Sequence, residues 1–231
     1  MLYNKPTIYN SAGVYNGAGV YKGAGVYKDG QSGGGETANI GGRDYRIVTM
    51  PDGKIWMAEN LDYKFSGCDI SPAGTPTTPA AWYYDNDEAI YSLDGIKKCG
   101  LLYNWYAAKL LNDNRSSFCP GWHVPNSDEL RTLVYNVGTG AGTRLKSLDN
   151  SIIIGFPSGW NGTDEYGFNA LPAGRRNGTS FMYLNNQTVF WASDEATPPY
   201  GNCLVLNTTD VVDNTFADKS QRGFSIRLVK D

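Results

Sequence analysis

The most restrictive feature of the sequence is a six-residue phrase that repeats four times across residues 7–30, as in Gly13-Val-Tyr-Asn-Gly-Ala18. Because six is even, an extended strand would point the tyrosines of all four copies to one face. These are Tyr9, Tyr15, Tyr21 and Tyr27. One copy cannot bury both faces, and its glycines lose extra entropy on ordering. Residues 1–30 are therefore predicted to form a stalk that assembles copies of the chain, as a homotrimer, with a flexible tether as the alternative.

The composition changes after this repeat. Residues 31–39 open with Gln-Ser-Gly-Gly-Gly-Glu, which is typical of a flexible linker, and residues 40–231 are predicted to form one folded domain. Hydrophobic residues make up 41% of the chain and charged residues only 19%, with 28 glycines and 16 tyrosines. This balance suits a loop-rich fold with strands better than a helical bundle.

Charge and hydropathy exclude two classes of partner. The formal net charge is −3 and no basic stripe stands out, which argues against binding to nucleic acid or to an anionic membrane surface. No apolar run is long enough to cross a bilayer, so membrane insertion is not expected. The start, Met-Leu-Tyr-Asn-Lys-Pro, has no apolar signal region. It favours synthesis and retention in a cytoplasm over the alternative of a removed signal.

The order of the predicted elements indicates an α+β fold. A hairpin is predicted first, then two helices, then strands separated by loops. The hairpin comprises residues 43–50 and 54–57 around a turn at Pro51-Asp-Gly53, the helices are residues 101–111 and 126–135, and the strands are residues 189–192, 202–207 and 223–229. Asn126 or Ser127 can cap the second helix.

The reactive residue types form no recognisable catalytic motif. The only histidine, His123, has no nucleophile or orienting acid that the sequence identifies, so a structural role is predicted. No two cysteines form a CxxC pair, three disulfide pairings stay open, and cytoplasmic synthesis would favour free thiols. The four are Cys68, Cys99, Cys119 and Cys203. The sequence thus predicts neither an enzyme nor a bound cofactor.

Two acidic segments, at residues 85–88 and 161–165, supply oxygen atoms of the kind that Ca²⁺ binds. Neither has the spacing of an EF-hand loop. Solvated turns are the favoured interpretation, and one structural Ca²⁺ is the alternative.

Six segments in order carry a family resemblance. They are KIWMAENLDY (54–63), GLLYNWYAA (100–108), CPGWHVPNSDEL (119–130), GFNALPAGRR (167–176), VFWASDE (189–195) and GFSIRLVKD (223–231). Together they closely resemble the Fibrobacter succinogenes major paralogous domain of Bacteroidetes-type surface proteins. The resemblance implies a C-type lectin-like fold, in which two helices and a small mixed sheet support loops that present a ligand site.

The final segment also resembles the variable proteins of diversity-generating retroelements, in which the residues before the last strand are diversified. That resemblance implies that residues 181–222 vary and display the binding surface. Polar and aromatic residues on a rigid scaffold are well suited to binding. The candidates are Tyr183, Asn185, Ser193, Asp194, Tyr200, Asn202, Cys203, Asn207, Asn214, Phe216 and Asp218.

These observations predict a binding protein. The favoured hypothesis is the receptor-binding tip of a phage tail fibre, or a similar adhesin, made in the host cytoplasm and carried on the virion. Its partner would be a cell-surface protein or glycan of a host bacterium. The alternative is an undiversified bacterial surface or secreted module that binds polysaccharide or protein.

Overall fold

The computed structural model describes residues 36–88, 99–148, 159–209 and 212–231. The chain divides into two units, Met1–Gly35 and Glu36–Asp231, and the second is compact. The first unit lies outside the described residues, and with it lie the predicted stalk of residues 1–30 and most of the predicted linker of residues 31–39. The first strand begins at Thr37 and so takes in the last residues of that linker span.

Within the described ranges the second unit contains four α-helices and fourteen strands, which confirms the predicted α+β class. The strands are β1 (Thr37–Ile40), β2 (Arg43–Thr49), β3 (Ile55–Met57), β4 (Asp69–Ile70), β5 (Ala80–Trp82), β6 (Leu102–Tyr103), β7 (Trp122–His123), β8 (Ala173–Asn177), β9 (Ser180–Leu184), β10 (Gln187–Glu195), β11 (Tyr200–Asn207), β12 (Val212–Asp218), β13 (Arg222–Gly223) and β14 (Val229–Lys230). The helices are α1 (Trp105–Asp113), α2 (Arg115–Phe118), α3 (Ser127–Val137) and α4 (Ala141–Leu145), and Tyr84–Asn86 form a 3-10 turn.

The strands form three sheets. The first has the order β1-β2-β3-β14-β7, and Val229 of β14 pairs with both Trp56 and His123. The second has the order β12-β11-β10-β8-β13, with β9 paired to β8. The third is the short sheet β4-β5-β6. In the second sheet β11 pairs antiparallel with both β10 and β12. Among the described strands β12 ends the order, so it is an edge strand.

The predicted hairpin is confirmed as β2 and β3, which pair with Ile47 opposite Met57. Its turn places Gly53 at φ 77°, a conformation that favours glycine. The predicted second helix is confirmed as α3. Asn126 caps it, since its side chain accepts the Glu129 N–H while the Glu129 carboxylate accepts the Asn126 N–H.

Two predicted elements differ from the structure. The helix predicted over residues 101–111 begins later, because residues 102–103 form β6 and the Asn104 side chain caps a helix that starts at Trp105. The single strand predicted over residues 223–229 is wrong. Only its ends belong to strands, because the chain passes there from the second sheet to the first.

The central parts of strands β10 and β11 are buried on both faces. Alternate side chains of each strand point to opposite sides of the sheet, and each side belongs to a separate hydrophobic cluster. One cluster contains Val189, Trp191 and Cys203, and the other contains Phe190 and Leu204. The apolar runs VFWA and CLVL follow from this double burial.

A buried arginine ties the last strand segment to the rest of the domain. The Arg227 guanidinium donates from Nε to Asn60 Oδ1 (2.9 Å), from Nη2 to the Asn169 carbonyl (2.7 Å), and from Nη1 to the Phe168 and Met57 carbonyls. The guanidinium carbon of Arg227 lies 4.5 Å from the Phe168 ring centroid. Burial lowers the pKa of Arg227 to about 9, so the group is still a cation at neutral pH.

Candidate binding surface

One end of the β11–β12 pair carries two exposed aromatic side chains. The strand register sets Tyr200 opposite Asp218, Asn202 opposite Phe216 and Leu204 opposite Asn214. Alternate residues point to the same face, so these side chains share one side of the sheet. The Tyr200 and Phe216 rings lie 5.2 Å apart and are 38% and 57% exposed. We call this the aromatic face.

Asp194 connects the aromatic face to helix α3. Its Oδ1 accepts the Ser127 N–H (2.6 Å), and its Oδ2 accepts the Ser127 hydroxyl (2.7 Å) and the Asn202 amide (2.7 Å). A carboxylate at a helix N-terminus is also favoured by the helix dipole. Asp194 is therefore held on both oxygens, and its effect on the surface is to fix the orientation of Asn202.

Trp105 supports the aromatic face from below. Its Nε1 donates to the Ala192 carbonyl (3.0 Å), and its backbone N–H donates to the Lys219 carbonyl (3.2 Å). The Lys219 ammonium lies 4.4 Å from the indole centroid. A Cβ added to Gly201 would lie 2.2 Å from the Trp105 ring, so only glycine fits there. Trp105 thus contacts Gly201 beside Tyr200, Lys219 beside Asp218, and Ala192 two residues before Asp194.

Six of the eleven predicted residues come together at this surface. They are Asp194, Tyr200, Asn202, Asn214, Phe216 and Asp218. The carboxylate of Asp218 turns into its own loop, where Oδ1 accepts the N–H groups of Ser220 and Gln221, both at 2.9 Å.

The other five predicted residues lie elsewhere. Cys203 and Asn185 are buried, and burial raises the pKa of the Cys203 thiol to about 12, so it stays protonated. Ser193 is partly buried and its N–H donates to the Pro125 carbonyl, while Asn207 closes a turn at the far end of β11 through Thr209. Tyr183 is half exposed on β9, beside Arg175.

Two residues that support this surface, Ser127 and Trp105, were not predicted to do so from the sequence. Ser127 was predicted only as a helix cap, and Trp105 only as part of the helix expected over residues 101–111. Both reach the aromatic face through contacts between residues 67 and 87 positions apart in the chain, which no local pattern encodes. The one signal in the sequence is the dipeptide Tyr200-Gly201, in which an aromatic residue stands beside a glycine.

His123 lies in β7, between two carboxylates. Its Nδ1 is 2.6 Å from Asp231 Oδ1, and its Nε2 is 3.0 Å from both oxygens of Glu129, which also binds Lys54 at 2.8 Å. Hydrogen bonding to Glu129 raises the pKa of His123. Burial acts to raise the pKa of Glu129, but the bonds from His123, Lys54 and Asn126 outweigh it and lower that pKa to about 2. The histidine thus links helix α3 to the last residue of the chain.

This cluster is expected to make stability depend on pH. The folded pKa of His123 exceeds its ordinary value of 6.5, so its contribution is full below that pH and is lost as pH rises through the raised value. The folded pKa of Glu129 is below its ordinary value of 4.5, so its contribution is lost as pH falls from there towards 2. The free energy of unfolding in urea should therefore peak between these two ordinary values.

The variant His123→Gln should flatten the decline on the alkaline side of that peak. Asp128→Asn is the matched control. Asp128 is an exposed carboxylate next to Glu129 in the first turn of helix α3, and among the described residues it pairs only with Arg131. Its profile should keep both limbs. An unaltered alkaline limb in His123→Gln would contradict the assignment.

The described residues contain no group of three His, Cys, Asp or Glu side chains placed to hold a metal ion. In the acidic segments, Glu165 is paired with Arg144 and Glu88 with Lys64. The four cysteines are free thiols. None of the described helices is long and apolar enough to cross a membrane.

Comparison with known proteins agrees with the six sequence segments. No curated protein and no solved structure matches the chain. The family described as the Fibrobacter succinogenes major domain matches residues 52–230, from the β2–β3 turn to the last strand. This match covers most of the 231 residues and includes the aromatic face and its supports. The chain therefore belongs to the Fibrobacter succinogenes major domain family.

Proposed function

We propose that residues 36–231 form a ligand-binding domain and that the aromatic face is its binding surface. The observation that carries this proposal is the pair of Tyr200 and Phe216, two rings packed on each other and still exposed to solvent. Aromatic rings offer a large contact area with few rotatable bonds, so they bind at a small entropic cost. Asn202 and Asn214 beside them offer amide hydrogen bonds to a partner.

The surroundings of the rings favour binding over chemistry. Both carboxylates of this surface, Asp194 and Asp218, already accept hydrogen bonds within the protein, and the adjacent thiol of Cys203 is buried and protonated. These groups hold the surface in one shape. A rigid scaffold beneath exposed aromatic and amide side chains is the arrangement that recognition surfaces use.

The wider proposal is that this domain is the receptor-binding tip of a phage tail fibre or a similar adhesin. In this account the fold is C-type lectin-like, and residues 181–222 are diversified by a retroelement. Strand β12, which lies within residues 181–222, supports the idea, because exposed positions on an edge strand accept substitutions with little loss of stability. The partner is a cell-surface protein or glycan of a host bacterium, and the protein is carried on the virion. The hexads of residues 7–30 would assemble a homotrimer, so that three weak sites gain avidity.

The second candidate is an undiversified bacterial surface or secreted module that binds polysaccharide or protein. It uses the same aromatic face, and membership of the family is the observation that favours it. A reverse transcriptase gene and a near-copy of the C-terminal coding segment beside this gene would favour the diversified fibre. A signal-peptide sequence in the upstream reading frame would favour the surface module.

Removing either exposed ring is expected to weaken binding without unfolding the domain. Fluorescently labelled full-length Tyr200→Ala and Phe216→Ala should each bind at least about tenfold more weakly than wild type to a panel of intact Bacteroidetes-type cells, because central aromatic contacts dominate interfaces. Tyr135→Ala is the matched control, since Tyr135 is 84% exposed on helix α3. It should bind as wild type does.

Circular dichroism and thermal melts of the same preparations separate binding from folding. Both ring variants should keep the wild-type spectrum and melt within a few degrees of it, since exposed substitutions usually change stability by less than about 0.5 kcal/mol. Loss of the fold in both variants, or cell binding equal to that of Tyr135→Ala, would contradict the assignment.

A further inference from the structure

Two arginines on β8 and β13, at the end of the second sheet opposite β12, lack a counter-ion. Arg175 on β8 and Arg222 on β13 are half buried, and neither forms a salt bridge within the described residues. Nε of Arg175 and Nη1 of Arg222 are shielded from solvent without a hydrogen-bond partner there. Shielded donors of this kind are unfavourable unless a partner completes them.

The strand register brings the two guanidinium groups together. Arg222 is directly opposite Asn177, and Asn177 follows Arg175 by two positions on β8. Residues two apart on a strand share a face, so Arg175 and Arg222 are diagonal neighbours with Cα atoms about 7–8 Å apart. Burial and then the charge of Arg222 lower the pKa of Arg175, as expected of two close cations.

Two other side chains, Tyr183 and Cys203, lie near this arginine pair. The Tyr183 ring centroid is 4.8 Å from the guanidinium carbon of Arg175, and the Nε of that group has no hydrogen-bond partner among the described residues. The buried Cys203 thiol lies near both arginines, and burial keeps it neutral. The Asp218 carboxylate interacts electrostatically with Arg222 but forms no salt bridge with it, and instead accepts hydrogen bonds in its own loop.

We propose that Arg175 and Arg222 form a binding site for an oxyanion, namely the carboxylate, sulfate or phosphate group of a ligand. Two planar guanidinium groups with unpaired donors on one face match the oxygens of such a group. The half-exposed Tyr183 ring adds an apolar surface for the part of the ligand that carries the anion. The site is separate in its residues from the aromatic face, so the two proposals can fail independently.

The test titrates the full-length protein with sodium acetate, sulfate or phosphate at fixed ionic strength. The side-chain Nε–H resonances of the arginines are followed by NMR. The signals of Arg175 and Arg222 should move together and give one dissociation constant on the order of millimolar for at least one anion. Arg175→Gln and Arg222→Gln should each weaken that binding at least tenfold. The anion that binds most tightly identifies the group that the ligand carries.

Two further variants control for a nonspecific effect of charge and for misfolding of the glutamine variants. Arg131→Gln removes the same charge from an exposed helix position and should leave the dissociation constant unchanged. Asp218→Asn keeps the loop acceptor but removes the nearby negative charge, so it should tighten binding severalfold even if a glutamine variant fails to fold. Equal weakening in Arg131→Gln, unmoved Arg175 and Arg222 signals, or no gain in Asp218→Asn would overturn the proposal.

Discussion

Replacing Arg227 by alanine is expected to lower the free energy of unfolding by about 3–5 kcal/mol, because removing a fully buried charged partner leaves its acceptors unpaired. The guanidinium satisfies the Asn60 side chain and the carbonyls of Met57, Phe168 and Asn169. These acceptors belong to two separate stretches of the chain, residues 57–60 and 168–169, and all of them lose their donor when the side chain is removed. Urea unfolding of the full chain at neutral pH measures the loss.

Arg227→Lys separates charge from geometry. Lysine keeps the cation but cannot reach four acceptors that are arranged around a planar fork, so an intermediate loss is expected. Arg131→Ala is the control, since its exposed ion pair with Asp128 is worth well under about 1 kcal/mol. If Arg227→Ala were as stable as this control, the buried network would have no structural role.

Trp105→Ala is the second substitution with a large expected effect. Truncation of a buried tryptophan costs about 3–5 kcal/mol through lost burial and the cavity that it leaves. It also removes the hydrogen bond to the Ala192 carbonyl and the surface on which Gly201 rests. Both effects act directly below the aromatic face. We therefore expect urea unfolding to show the loss and cell binding to fall with it.

Trp105→Phe distinguishes support from bulk stability. The smaller ring still fills most of the site, but the Ala192 carbonyl loses its partner, at a cost of about 1–3 kcal/mol. The domain should stay folded while the β10–β11 end loosens, so cell binding should weaken with little change in the circular dichroism spectrum. Full binding by Trp105→Phe would mean that the Nε1 hydrogen bond does not position the aromatic face.

Local signals were sufficient for the elements whose stabilisation is local. The β2–β3 hairpin follows from its Pro-Asp-Gly turn, and helix α3 from the Asn126 cap with Glu129 three residues later. The start of helix α1 was misplaced because Leu101 and Leu102 continue its apolar run. The cap at Asn104, which also binds the Ala80 N–H and the Thr78 carbonyl, decides the boundary through residues far away in the chain.

Strands with polar sequences escaped prediction. β8 reads Ala-Gly-Arg-Arg-Asn, and adjacent arginines suggest solvent, yet Arg176 is buried with its guanidinium 3.9 Å from the Trp82 ring centroid. β12 reads Val-Asp-Asn-Thr-Phe-Ala-Asp and resembles a loop, because an edge strand with an exposed face needs little apolar content. The opposite error arose in GFSIRLV, whose apolar run reflects burial between two sheets and not a single strand.

The candidate residues show the same difference between what local sequence predicts and what pairing between distant strands decides. Composition selected residues that the structure brings together, since Tyr200, Asn202 and Phe216 share a face. It could not separate them from Cys203, because one position along a strand reverses the direction of a side chain. The register that brings Tyr200 and Phe216 together is set by pairing between strands and has no signature in either strand alone.

The central claim is that the domain contacts its partner through the aromatic face, and photo-crosslinking tests it most directly. A benzophenone amino acid placed at position 216, in the full chain bound to Bacteroidetes-type cells, should form a covalent adduct with a cell-surface protein or glycan on irradiation. The same group at position 135, which is 84% exposed on helix α3 against 57% at position 216, should not. Adducts at position 135 alone, or equal adducts at both positions, would contradict the account.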